Sequence, residues 1–134
     1  MGPDSSRYFA NIFKKTEFSL DDLDDLLPCF GLNGTFDDLR EISQEEALES
    51  LIFLIWKDLA YGVERMSRAQ AEELANLFFS SCHAEFSSRF FTNGRCLKEG
   101  HFEWFPMTEF SFDRGVIMLN PDHSAYCLWY ISED

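Results

Sequence analysis

Two stretches of the chain repeat apolar residues at the three-to-four-residue spacing of a helix. The first follows Ser43-Gln44-Glu45-Glu46, a capping box in which each end side chain satisfies a backbone donor of the other. Ala47, Leu48, Leu51, Ile52, Leu54, Ile55, Leu59 and Ala60 come after it, apolar nearly all round by the middle. This pattern predicts a central helix buried on more than one side, with Gly62 placed to end it in a left-handed cap. The second opens at another capping box, Ser67-Arg68-Ala69-Gln70. Ala71, Leu74, Ala75, Phe78 and Cys82 carry its apolar stripe to about Phe86. A link as short as Tyr61 to Met66 predicts that the two helices are antiparallel neighbours.

Ahead of them, Ser19 offers an N-cap hydroxyl, with Asp21 and Asp22 where a helix dipole favours negative charge. Leu20, Leu23, Leu26 and Leu27 follow at helical spacing, and Pro28 is expected to stop the element. Gly31 to Gly34 reads as a turn, and Thr35 as the cap of a further short helical segment carrying Asp37 and Asp38. Arg7 to Phe18 alternates aromatic and basic residues and fits a strand or a helix equally.

After Phe86 the pattern shifts to strands and turns. Asn93-Gly94 is a turn signal. His101 to Phe105 reads as a short strand ahead of Pro106. Thr108 to Phe112 and Gly115 to Leu119 flank Asp113-Arg114 as a hairpin, and Asn120 to His123 is a second turn before a strand from Ser124 to Ile131. The expected fold class is α+β, one domain over residues 1–134. N-terminal helices, two of them long and antiparallel, pack on one face of a C-terminal antiparallel sheet of at least three strands. A chain of 134 residues, 46% hydrophobic and 16% aromatic, supports such a core, with most of the 15 phenylalanines in it.

Charge adds what periodicity does not. The formal balance is −13, and it is local. From Glu17 to Glu49 there are eleven acidic residues and one basic residue, Arg40, so this segment carries −10 of it. Solubility alone explains an acidic protein, but a field this concentrated also fits a recognition face for a basic partner. It argues against direct binding to nucleic acid or an anionic membrane, and the longest apolar run, Leu51 to Trp56, is far too short to span one. Cys29, Cys82, Cys96 and Cys127 form no C-x-x-C pair, and residues Met1 to Arg7 do not resemble a secretory signal. Free thiols and a cytoplasmic location are the expectation.

Candidate chemistry is sparse. His83, His101 and His123 belong to no metal-ligand spacing, and the aspartate run lacks the calcium-loop pattern. Cys96 with His101 or His123 is the one conceivable nucleophile pair, without a supporting local motif. No phosphate-cradling glycine loop is present. We therefore expect no catalytic residues, no metal and no cofactor. The expected contact set is Asp21, Asp22, Asp24, Asp25, Asp37, Asp38 and Glu41 for lysines or arginines of a partner. Trp104 joins it as a candidate anchor, since tryptophan is enriched at interface hot spots.

The run Thr108 to Leu119, followed by Ala125 to Asp134, resembles the close of small bacterial immunity proteins of polymorphic toxin systems. There a T-x-x-x-F-D-x-G-V-I hairpin leads to an L-W-x-x-x-E-D end. Thr108, Phe112, Asp113, Gly115, Val116 and Ile117 fill the first part, and Leu128, Trp129, Glu133 and Asp134 the second. Gly115 is expected to supply an unusual turn dihedral. The match covers about the last quarter of the chain. It implies an α+β immunity protein, monomeric until it binds a cognate toxin one to one. That toxin would be basic, possibly a nuclease. The competing readings are a nucleic-acid mimic that inhibits a DNA-binding protein, an acidic secretion adaptor or chaperone, and a small enzyme or ligand-binding domain.

Overall fold

The computed structural model describes residues 8–57, 64–96, 102–109 and 112–133. It is an α+β arrangement around a five-stranded antiparallel sheet. In chain order the elements are β1 (Tyr8–Glu17), a 3-10 turn (Leu20–Asp25), α1 (Leu26–Cys29), a second 3-10 turn (Phe36–Asp38) and β2 (Arg40–Ile42). They are followed by α2 (Gln44–Trp56), α3 (Arg68–Ser81), β3 (Arg89–Thr92), β4 (Gly94–Cys96), β5 (Phe102–Trp104), β6 (Phe112–Leu119) and β7 (Ser124–Glu133). The sheet runs β1-β7-β6-β3-β2, and β4 and β5 form a separate two-stranded ribbon.

The order of helices first and sheet last does not hold, because two sheet strands precede the long helices. The undecided stretch at the start of the chain is β1, which pairs with β7 from Tyr8 opposite Glu133 to Glu17 opposite Ser124. Its partner lies more than a hundred residues away, so the chain's local pattern carries no trace of the pairing. β2 closes the other edge against β3.

Both sheet faces are covered, not one. Alternation along the strands sends Ile42, Phe90, Val116, Met118, Tyr126 and Leu128 to one side. There they pack on Leu51, Ile52 and Ile55 of α2 and on Ala71, Ala75 and Phe78 of α3. Phe91, Ile117, Leu119, Cys127, Trp129 and Ile131 face the other way. They are sealed by Leu26, Leu27, Phe30, Leu32 and Phe36 of the acidic segment, together with Met107. The two central strands are therefore buried on both faces, and Asp113 to Asn120 shows no exposed residue.

Local chemistry sets the ends of the elements. Ser43 accepts from the Glu46 backbone N–H, and Ser67 and Gln70 form a reciprocal capping box. α2 ends at Trp56, earlier than its apolar pattern suggests, because Lys57 turns extended and pairs with Glu64. Leu59, Ala60 and Gly62 lie outside the described residues. α3 ends at Ser81; His83 adopts a left-handed φ of 58°, and Phe86 is fully exposed beyond it. Pro28 does not stop α1 but sits within its four residues, in a first turn where a backbone N–H has no helical partner to lose.

The Asn93-Gly94 signal falls on a bend, where buried Asn93 links β3 to β4. Asp113-Arg114, in contrast, is no turn. Both residues lie in β6, opposite Ile131 and Tyr130, and both are buried. The turn from Asn120 to His123 does join β6 to β7, with His123 at φ 69°. Phe110 and His101 lie outside the described residues.

Candidate functional site

The acidic segment is folded as a cover over one sheet face. Leu26, Leu27, Phe30, Leu32 and Phe36 pack against the sheet, and burial of each large apolar side chain contributes on the order of 1.5–3 kcal/mol. The carboxylates are thereby turned outward. Ser19 caps the first 3-10 turn by accepting from the Asp21 N–H at 3.3 Å. Asp22 breaks that turn with φ −132° and ψ 48°. The Asp24 carboxylate accepts the Phe36 N–H at 2.7 Å and so fastens the 20–25 turn to the 36–38 turn. Asp38 accepts the Thr35 N–H at 2.9 Å within a capping box. Gly34, at φ +89°, lets the chain pass so close that a side chain there would strike the Asp38 carboxylate.

The expected contact residues therefore fall into different situations. Asp24 and Asp38 each hold a backbone N–H of their own segment. Glu41 on β2 is paired with Arg89 of β3 through two bonds of 2.9 Å. That guanidinium, mainly by hydrogen bonding, holds the Glu41 carboxyl below its ordinary range. Asp21, Asp22, Asp25 and Asp37 are exposed, and among the described residues they have no ion-pair partner. Trp104 is the last residue of β5, opposite Gly94, away from the acidic segment in sequence; its side chain lies outside the description.

Glu17, Asp22 and Asp25 also line a shallow open depression of ≈ 300 Å³ floored by Phe18, Leu26 and Cys29. Three carboxylates around an apolar floor suit the methylene stem and charged head of a lysine or arginine side chain. Leu20 stands 59% exposed between them and the neighbouring strand turn. Phe18 stacks on His123 at a centroid distance of 5.4 Å, which ties the start of the segment to the β6–β7 turn.

Sequence reasoning missed a second carboxylate site, this one internal. Asp113 is 1% exposed. Its Oδ1 accepts from the Asn93 side-chain amide at 3.0 Å, the Met107 N–H at 3.1 Å and the Trp129 indole N–H at 3.2 Å. Its Oδ2 accepts from the Thr108 N–H at 3.2 Å and the Thr108 hydroxyl at 2.9 Å. Asn93 donates further to the carbonyls of Phe105 and Asp113 and accepts from the Gly115 N–H. Gly115 supplies no turn dihedral. It is glycine because a side chain there would run into the Leu128 carbonyl and the Trp129 ring. The signal was a lone acid between phenylalanine and a glycine–valine–isoleucine run, which is strand context rather than turn context.

Thr108, Asp113, Gly115 and Trp129 are also among the residues that carry the immunity-protein resemblance. They meet in one largely buried network around Asp113, so these positions of the pattern serve the packing of this fold. Comparison with protein families, characterised proteins and solved structures finds no match to this chain.

No nucleophilic or metal chemistry is assembled among the described side chains. Cys82 and Cys127 are buried, and burial pushes the Cys82 thiol up to about 12, where it stays protonated at neutral pH. Among the described residues, no group of three histidine, cysteine, aspartate or glutamate side chains is placed to hold a metal ion. No described helix is long and apolar enough to cross a membrane. The side chain of Cys96, and all of His101, lie outside the described residues.

Proposed function

We propose that this protein is an immunity protein that binds and neutralises a cognate basic toxin through its acidic cover segment. One observation carries the reading: Asp21, Asp22, Asp25 and Asp37 are exposed and have no ion-pair partner among the described residues, while Glu41, Glu46, Glu49 and Glu72 are each paired with an arginine. Carboxylates left unpaired on a folded, well-anchored segment concentrate a field that speeds encounter with a positive surface. The cover is pinned to the sheet by buried residues, so it is presented in one shape, and a preorganised face loses less entropy on binding. The resemblance of the C-terminal hairpin supports the same class.

On this reading the protein is cytoplasmic and monomeric until it forms a one-to-one complex. The toxin is one whose active groove is positively charged, such as a nuclease. The long helices α2 and α3, read as antiparallel from their short link, form the opposite layer and support the sheet.

Co-expression with the product of the adjacent upstream reading frame tests the proposal. The expected result is a neighbour toxic when expressed alone, relief of toxicity by this protein, and a one-to-one complex that weakens as salt is raised. A harmless neighbour with no complex would refute the immunity reading. Binding to several unrelated DNA-binding proteins instead would favour nucleic-acid mimicry.

A further inference from the structure

A second surface feature has the opposite sign and does not depend on the toxin reading. Three of the chain's eleven basic residues, Arg40 of β2, Arg68 at the start of α3 and Arg114 of β6, line one cavity of ≈ 440 Å³ beside α2. Arg114 is 3% exposed and lies on the helix-facing side of the sheet, as its neighbours Val116 and Met118 do. Glu46, Glu49, Ser50 and Phe53 of α2 complete the wall, so two carboxylates share the space with the three arginines. Arg40 donates to the Gly94 carbonyl at 2.9 Å and to Glu46 at 2.8 Å. Arg68 donates to both oxygens of Glu49 at 3.1 and 3.2 Å, and to Glu72 at 3.2 Å.

We propose that this cavity binds the phosphate group of a small phosphate monoester. Guanidinium groups present fixed donor forks, and three of them approaching one space suit a group with three acceptor oxygens better than a carboxylate with two. The Glu46 and Glu49 side chains are 46% and 61% exposed, and surface ion pairs of this kind contribute little, so both can swing to water while Arg40 and Arg68 turn to the ligand. The Ser50 hydroxyl adds a donor from the α2 side. The cavity has room for more than a bare phosphate, and Phe53 gives the organic part an apolar wall.

The test is a titration of the full chain at fixed ionic strength, followed by backbone amide shifts, with phenyl phosphate and inorganic phosphate as probes. Saturable shifts at Ser50, Phe53 and Arg114 are expected, with phenyl phosphate binding more tightly than inorganic phosphate. Arg40→Ala and Arg68→Ala, both at part-exposed positions, should fold normally and each weaken phenyl phosphate about tenfold, the loss of one good charge-assisted contact. Phe53→Ala should weaken phenyl phosphate alone. Shifts that do not saturate, or that are unchanged in both arginine variants, would overturn the proposal. Inorganic phosphate binding as tightly as phenyl phosphate would overturn the assignment to an ester.

Discussion

Asp113 and the quartet Asp21, Asp22, Asp25 and Asp37 are the same side chain used in opposite ways. Asp113 is buried and takes hydrogen bonds from an amide, an indole, a hydroxyl and two backbone N–H groups. The quartet is exposed and takes no ion pair from the described residues. A buried charge is tolerable only when it is fully solvated by protein donors, so Asp113 can have no freedom to meet a partner. Exposed charges cost the fold almost nothing and remain available. Under the proposed function, stability and recognition fall to different carboxylates of one chain.

The sharpest way to break this contrast is Asp113→Ala. Removing the carboxylate leaves several buried donors unsatisfied, and we expect a loss of about 3–5 kcal/mol in urea unfolding. A loss under about 1 kcal/mol would mean that water reaches the network and that the contrast is false. Gly115→Ala comes next. Its methyl must displace the Trp129 ring or the Leu128 carbonyl, which should cost about 1–3 kcal/mol by the same measurement and shift the Trp129 fluorescence.

Changing Asp21, Asp22, Asp25 and Asp37 together to asparagine is expected to alter stability by no more than about 0.5 kcal/mol per site. A cooperative loss beyond that in a thermal melt would show that the quartet does structural work.

The smallest effect is expected at Glu41→Gln, because the Arg89 pair is surface exposed and contributes about 0.5 kcal/mol or less. The pH dependence has a fixed sign. The folded carboxyl titrates below its ordinary value, so its contribution is fully present above the unfolded pKa and fades as pH falls through the folded one. Wild type and variant should therefore differ in urea midpoint at neutral pH and converge in acid.

How much of this was legible in the sequence depends on how local each cause is. α2 and α3 were visible because their periodicity and their caps lie within a few residues of each other. β1 was not, since its hydrogen bonds go to β7 at the far end of the chain. Asp113-Arg114 looked like a turn because two polar residues followed by a glycine separate two strand-like runs. Only the donors brought by Asn93, Met107, Thr108 and Trp129 make a strand possible there. For the acidic face, the charge itself could be read directly. Which carboxylates were already engaged could not, because the Asp24 to Phe36 and Glu41 to Arg89 contacts join segments that come together only in the fold.

The most direct test of the central claim is the association rate with the neighbouring gene's product, measured across ionic strength for wild type and the four-asparagine variant. The account predicts at least a tenfold slower association for the variant at low salt and a much flatter salt dependence, with little change in dissociation if the four charges lie at the rim. A variant that associates at the wild-type rate with the wild-type salt slope would contradict it, and would remove the acidic cover as the recognition face.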